Sequence, residues 1–149
     1  MATLIQGPTR IFAWLPGYKK IRRVAAHKMN QSFAGSDFSN ADMAFSSWVK
    51  AFKPKLVKET DTEWHLDCTA IAGSPAPYPK AFIHVSKGDF QLVYWQFFND
   101  KGEKVKLFEG LNVKEWAPGV KRSRQIRVTD NSTGHQTVLD IHEFKVNQG

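Results

Sequence analysis

The side chains that could catalyse a reaction or bind a metal ion are few and scattered. Cys68 is the one cysteine of the chain, and a lone cysteine on a strand is most often a small buried hydrophobe. His65 and Asp67 lie two residues apart and would share one face of a strand, whereas Cys68 would point to the opposite face. These three side chains therefore do not form a metal clamp. We predict no metal site, no cofactor and no catalytic residue.

Motifs of the common enzyme classes are missing as well. The chain has neither the glycine-rich dinucleotide fingerprint nor a P-loop. The segment Gly35-Ser36-Asp37 is not a nucleophile elbow, because that motif needs glycine on both sides of the serine. A carboxylate pair brought together from distant strands is left open, because catalytic pairs need only spatial proximity. We interpret the protein as not being an enzyme.

Aromatic and basic residues offer a second kind of chemistry. The chain contains eleven Phe, five Trp and three Tyr, and its formal net charge is +7. Aromatic side chains either fill a core or line a site for an apolar or flat ligand. Positive charge favours polyanions: nucleic acid, anionic lipid or an acidic partner. Three interpretations follow. The first is an apolar container with a charged rim, the second is a basic, single-stranded nucleic-acid-binding β-barrel module, and the third is an interaction module whose apolar surface meets another protein.

The elements that would position these residues are mostly strands. Residues Thr9–Leu15 and Tyr18–Ala26 are expected to form a hairpin that turns at Pro16 and Gly17. Further strands are predicted at Lys55–Thr60, Glu63–Ile71, Ala81–Ser86, Phe90–Asn99, Lys104–Trp116, Lys121–Asp130 and His135–Val146. Sequential strands joined by short turns predict an antiparallel meander. The fold class is mainly β (α+β), and residues 1–149 are predicted to form a single domain.

One prominent helix is expected between these strands. Ser39, followed three residues later by Asp42, has the pattern of a capping box. Apolar residues then follow the spacing of one helical face until Pro54; they are Ala41, Ala44, Phe45, Trp48, Val49 and Phe52. The chain contains no apolar run long enough for a membrane-spanning helix, and no signal peptide is visible in it.

Three segments of the chain resemble a known family. The first is WLPGYKKIRRVAAHKMNQSFAGSDFSNADM, with Leu15-Pro16, two basic pairs and the Phe33–Phe38 loop. The middle segment is YPKAFIHVSKGDFQLVYWQFFNDKGEKV, and the last is IRVTDNSTGHQTVLDIHEFKVN. Together they resemble the outer-membrane lipoprotein-sorting-protein-like domains, relatives of the periplasmic lipoprotein carriers LolA and LolB. Such domains usually carry further sequence before the first motif, so the resemblance implies that an N-terminal part and a leader are not included in this chain.

The resemblance implies a curved antiparallel sheet, an unclosed barrel, with a helical lid over an apolar cavity. It implies a non-catalytic periplasmic carrier for lipid or lipoprotein acyl chains, in outer-membrane lipoprotein sorting or lipid transport. The implied partners are a lipid or acylated lipoprotein and a membrane-associated donor or acceptor protein, and no nucleic acid. A homodimer formed through an exposed sheet edge is left open.

Site residues follow from the same resemblance. Arg22 and Arg23 are expected to face lipid headgroups or an acidic partner. The candidate cavity and lid residues, each of which could equally be plain core, are Phe12, Trp14, Phe33, Phe38, Phe45, Trp48, Val49, Phe52, Tyr94, Phe98 and Leu107.

Overall fold

The computed structural model describes residues 1–145, and the chain forms two compact units. Unit 1 comprises Met1–Phe52 together with Ile71–Pro77, and unit 2 comprises Lys53–Ala70 together with the residues from Tyr78 onward. Within residues 1–145, no helix is both long enough and apolar enough to cross a membrane. That residues 1–149 form a single domain stays a prediction.

Unit 1 contains a three-stranded antiparallel sheet with the order β1-β2-β3. Its strands are β1 (Ala2–Ile5), β2 (Ile11–Leu15) and β3 (Lys20–Arg23). A 3₁₀ turn at Pro16–Tyr18 joins β2 to β3, and Lys19 closes this turn with a positive φ of 47°. The hairpin around Pro16 and Gly17 is therefore confirmed. Strand β1, which the sequence analysis did not predict, extends the hairpin by one strand.

A polar loop connects this sheet to the helical segment, and the Asn40 side chain forms hydrogen bonds with this loop. A second 3₁₀ turn spans Ala26–Lys28. The buried Asn40 side chain donates through Nδ2 to the carbonyl oxygens of Lys28 and Gln31, at 2.9 and 3.3 Å. One side-chain amide thus ties two loop carbonyls to the start of α1, in addition to the backbone hydrogen bonds that these carbonyls accept.

The helical segment is two short helices and not the one continuous helix predicted. Helix α1 spans Asn40–Ala44 and helix α2 spans Trp48–Ala51. The capping box at the start is confirmed, because the Ser39 hydroxyl accepts from the Asp42 amide and the Asp42 carboxylate accepts from the Ser39 amide. The helix nevertheless ends at Phe45, whose backbone is extended (ψ 118°). Ser46 and Ser47 follow, and serine side chains favour caps and turns over helix interiors.

The prediction that Pro54 ends a helix is also wrong. Strand β4 begins at Phe52 and runs to Glu59, so Pro54 lies inside a strand. Proline cannot donate a ladder hydrogen bond and is confined to edge strands. Strand β4 is an edge strand of the large sheet, which explains why this proline is tolerated.

Unit 2 is built on a seven-stranded open sheet with the order β10-β9-β8-β7-β6-β5-β4. After β4 its strands are β5 (Glu63–Ala70), β6 (Lys80–Ser86), β7 (Leu92–Phe98), β8 (Lys104–Ala117), β9 (Val120–Asp130) and β10 (Gln136–Asp140). Each strand pairs with its neighbour in sequence, and the pairs from β5 to β10 are antiparallel. The mainly β, antiparallel, unclosed fold class is confirmed. The last strand ends earlier than predicted, and Val146 lies outside the described residues.

The two faces of the large sheet differ in chemistry. One face, here called the buried face, carries buried apolar side chains, which are Cys68, Ala81, Ile83, Phe97, Phe108 and Val128. The opposite face, here called the mixed face, carries aromatic, imidazole and charged side chains, including His65, His84, Tyr94, Glu109 and Arg127. Irregularities in register occur at His84/Val85 and Phe97/Phe98, and such bulges bend a sheet.

Gly110 provides a test of the packing between β7, β8 and β9. A Cβ atom at this position would lie 2.5 Å from the Leu92 carbonyl oxygen and 2.6 Å from Ser123 Oγ. We expect Gly110→Ala to lower the free energy of unfolding by about 1–3 kcal/mol through overpacking, measured by urea denaturation. Gly88→Ala is the matched control, because a Cβ there meets nothing within 4 Å. Equal losses in the two variants would contradict the close approach at Gly110.

Candidate functional site

An open apolar groove on one face of the three-stranded sheet is the first candidate site. Strand pairing places Trp14 between Ala2 and Ile21, and places Phe12 opposite Leu4, so these side chains share a face. The groove has a volume of about 460 Å³ and is lined by Ala2, Thr3, Leu4, Gln6, Phe12, Trp14 and Ile21. Leu4 is 55% exposed and Ile21 is 69% exposed. The groove is therefore an apolar surface that is open to solvent.

The two arginines of β3 lie on opposite faces of this sheet. Arg23 pairs with Phe12, and Arg22 pairs with Ala13. Alternation along the strand therefore puts Arg23 on the groove face and Arg22 on the other. Both side chains are exposed. Of the two predicted headgroup contacts, Arg23 is the one on the same face as Phe12 and Trp14.

Three predicted lid residues form an aromatic cluster within unit 1. The Phe45 ring lies 5.1 Å from that of Trp48 and 6.0 Å from that of Phe52, in edge-to-face contacts. Trp48 and Phe52 are stacked at 5.1 Å. The broken helix still brings these rings together, because Phe52 follows α2 directly. Val49, predicted on the same face, is 87% exposed and points away from such packing.

The remaining predicted residues of unit 1 lie in and beside its core. Phe38 is buried, as are Ile11 and Ala44. Phe33 is half-buried, and its backbone amide donates to the Phe38 carbonyl at 2.7 Å. Phe33 and Phe38 thus close the loop before α1, and neither is among the residues that line the groove.

In unit 2 the predicted wall residues lie on the mixed face. Tyr94 pairs with His84, Phe98 pairs with Lys80, and Leu107 pairs with Gln96. The apolar pocket of this unit has a different lining and a volume of about 280 Å³. Its residues are Phe90, Gln91, Leu92, Trp95, Arg122, Ser123, Ile126, Ile141 and Phe144. Sequence reasoning missed Trp95 and Ile126, although the apolar alternation Ala81, Ile83, Val85 on the next strand indicates which face is apolar.

The environment of Cys68 is that of a core thiol and not of a nucleophile. Its side chain is 1% exposed, which confirms its prediction as a buried small hydrophobe. Burial, with a smaller contribution from the Asp67 carboxylate, raises the pKa of the Cys68 thiol to about 11. Asp67 itself pairs with Lys80 at 3.3 Å on the other face. At neutral pH the thiol is therefore protonated and unreactive.

Charged pairs accompany the aromatic residues of the mixed face. Arg127 Nε donates to the Glu109 carboxylate at 2.8 Å, and this hydrogen bond raises the pKa of Arg127. Burial raises the pKa of Tyr94, and the negative charge of Glu109 adds to the rise. Tyr94 thus stays a neutral phenol at neutral pH, between an imidazole and an ion pair.

Comparison with known proteins places the chain in a family. A family model whose description reads "Uncharacterized protein" matches residues 2–149. The chain belongs to this family. A search of curated proteins finds no match.

Solved structures with the same fold are similar to nearly the whole chain. A candidate outer membrane lipoprotein-sorting protein domain from Vibrio parahaemolyticus has a TM-score of 0.77 at 20% identity, over 94% of this chain and 60% of that one. A DUF1329 family protein from Desulfovibrio piger has a TM-score of 0.82 at 21% identity, over 99% and 65%. A LolA superfamily protein from Nitrosomonas europaea has a TM-score of 0.67 at 21% identity, over 96% and 66%.

These similarities confirm, at the level of the fold, the resemblance to LolA-like carriers. Members of the family need not share a ligand with these structures, because fold alone does not determine function. The chain spans between 60% and 66% of the length of the three structures.

The protonation state of Cys68 can be tested by its reactivity. A thiol of pKa about 11 is about 0.1% ionised at pH 8. We expect the native protein to react with Ellman's reagent at pH 8 at least about 100-fold more slowly than the protein in urea, and to react faster as the pH rises towards 11. Rapid reaction of the native protein at pH 8, at a rate independent of urea, would contradict the buried, protonated thiol.

Proposed function

We propose that this protein is a non-catalytic carrier that binds the acyl chain of a lipid or a lipoprotein in the periplasm. The open apolar groove of unit 1 is the observation that supports the proposal most. Contiguous exposed apolar surface in a soluble protein marks a binding site, and about 460 Å³ lies within the range of ligand pockets. The descriptions of two structural relatives, a lipoprotein-sorting domain and a LolA superfamily protein, agree with this proposal.

The free energy of acyl-chain burial is large enough for such a function. Each buried methylene contributes about 0.8 kcal/mol, so about ten methylenes contribute about 8 kcal/mol. Association costs about 4 kcal/mol or more in lost freedom of motion. The balance for ten methylenes is about 4 kcal/mol, which corresponds to a Kd of about 1 mM, and each further buried methylene tightens binding about fourfold. No catalytic group is needed. Transfer then requires an equally apolar acceptor, either a membrane or a membrane-associated partner, because an acyl chain does not leave readily into water.

Charge at the groove supports an amphipathic ligand in particular. Arg23 lies on the groove face beside Phe12, and its guanidinium can pair with a phosphate or carboxylate headgroup. An acyl chain on Trp14 and Ile21 would then continue into an anionic head near Arg23. Arg22, on the opposite face, is available to an acidic partner.

A single-stranded nucleic acid is the second candidate ligand. Phe12 and Trp14 are aromatic residues on a sheet face that also carries Arg23, and stacking beside a cation is how such ligands bind. Binding of a labelled oligonucleotide that weakens steeply between low and high salt would favour this candidate over the carrier.

Removal of Trp14 tests the carrier proposal. Burial of a large apolar side chain contributes about 1.5–3 kcal/mol, so we expect Trp14→Ala to weaken binding of a dansyl-labelled fatty acid about 10- to 150-fold. Fluorescence titration measures this affinity. Tyr18→Ala is the matched control, because Tyr18 is an aromatic residue of the same unit, 72% exposed and outside the groove lining.

Two further measurements test the carrier proposal. Native mass spectrometry of wild-type protein from a periplasmic extract should detect a bound lipid that is lost in Trp14→Ala. Trp48→Asp should also weaken uptake if the Phe45-Trp48-Phe52 cluster acts as a lid. Unchanged affinity in a folded Trp14→Ala variant, or equal losses in Trp14→Ala and Tyr18→Ala, would contradict binding in the groove.

A further inference from the structure

One carboxylate and two imidazoles meet on the mixed face of the large sheet, outside both apolar pockets. Glu63 and His65 stand two residues apart on β5, so alternation places them on the same face. His84 of β6 lies directly opposite His65, and the Cβ atoms of such pairs are about 4.5–5.5 Å apart. The register of β5 and β6 therefore creates this Glu63-His65-His84 cluster.

The three donor groups lie close together. Glu63 Oε2 lies 2.9 Å from His65 Nε2 and 3.3 Å from His84 Nδ1. One ligand atom from each residue lies within 4.8 Å of the other two. The imidazole rings of His65 and His84 are stacked, with 3.7 Å between their centroids and an interplanar angle of 7°. All three side chains are half-buried, with exposures of 31%, 13% and 22% for Glu63, His65 and His84.

The neighbouring side chains hold the cluster in place. The Phe82 ring contacts both imidazoles edge-on, with its centroid 6.1 Å from that of His65 and 5.2 Å from that of His84. Tyr94 stacks on the other side of His84 at 4.6 Å. Aromatic rings therefore flank both histidines beside the Glu63 carboxylate.

We propose that Glu63, His65 and His84 bind a Zn²⁺ ion through one carboxylate oxygen and two imidazole nitrogens, His65 Nε2 and His84 Nδ1. Two histidines with one glutamate are a known set of zinc ligands, which leaves a fourth position for water. Bond lengths of about 2.0–2.1 Å in a tetrahedron separate neighbouring ligand atoms by about 3.3–3.4 Å. The two carboxylate–imidazole separations, 2.9 and 3.3 Å, are already close to that value. Because the two imidazole rings are parallel, binding requires them to rotate until both nitrogen lone pairs point at the ion.

This site is independent of the proposed carrier function. Its residues lie in unit 2, whereas the groove lies in unit 1. The ion would join β5 to β6 by bonds between side chains, in addition to the backbone ladder. We therefore expect Zn²⁺ to raise the melting temperature of the protein.

Isothermal titration of the untagged, metal-free full chain with Zn²⁺ tests the proposal. We expect one ion per chain. Changing a residue that only supports a metal ligand typically lowers metal affinity about 10- to 100-fold, and we expect His84→Ala to lower the Zn²⁺ affinity by more than this. Glu63→Gln keeps the shape of the side chain and should also weaken binding. His142→Ala is the control, because His142 is exposed and outside the cluster.

Two independent readouts remove the ambiguity of a variant that fails to fold. Nitrogen NMR of the wild type should show Zn²⁺-dependent shifts at His65 Nε2 and His84 Nδ1, and Co²⁺ should give the visible absorption of a tetrahedral site. The proposal is overturned if wild-type protein binds no Zn²⁺, if the NMR shifts occur at other histidines, or if His142→Ala loses as much affinity as His84→Ala.

Discussion

The pairing register of the seven-stranded sheet is the constraint on which the rest of unit 2 depends. Side chains alternate between faces with a period of two, so a slip of one residue would move a whole strand's side chains to the other face. Such a slip between β5 and β6 would separate His65 from His84, and one between β7 and β8 would separate Trp95 from Phe108, which stack at 5.4 Å. The apolar pocket and the imidazole cluster of unit 2 therefore both depend on the pairing register of the sheet. Bulges at His84/Val85 and Phe97/Phe98 set where each register changes.

Local signals explain why most of the fold could be predicted. Alternating apolar residues and short glycine-bearing turns depend on neighbours in sequence, so the strands and the β2–β3 hairpin lie close to their predicted positions. The capping box at Ser39 is equally local. The prediction of one continuous helix was wrong because the spacing of its aromatic residues is also compatible with a broken helix. Phe45, Trp48 and Phe52 reach one another across a break and the start of β4, and tertiary contact then outweighs helix propensity.

The candidate site was predictable where it depends on one hairpin and not where it depends on several strands. Phe12 and Trp14 share a face because they are two residues apart on β2, and their partners follow from the turn at Pro16. For Tyr94 and Trp95, adjacent on β7, either face is compatible with the local sequence. Their environments differ only through cross-strand partners, His84 for Tyr94 and Ile83 for Trp95. Pairing of Glu63 and His65 with His84 is non-local in the same way, so the scattered histidines gave no sign of a cluster.

The basic residues of β3 have a structural reason to be where they are, apart from any ligand. β3 is an edge strand of the three-stranded sheet, and an exposed edge beside an apolar face promotes strand addition by another chain. Lys20, Arg22 and Arg23 place charge along this edge, which opposes such pairing. Net positive charge here is therefore weak support for nucleic acid. The exposed Leu4 and Ile21 have no comparable structural reason, because apolar surface left in water costs about 25 cal/mol per Å². An apolar ligand in the groove removes that cost, and for this reason the groove, rather than the charge, carries the functional proposal.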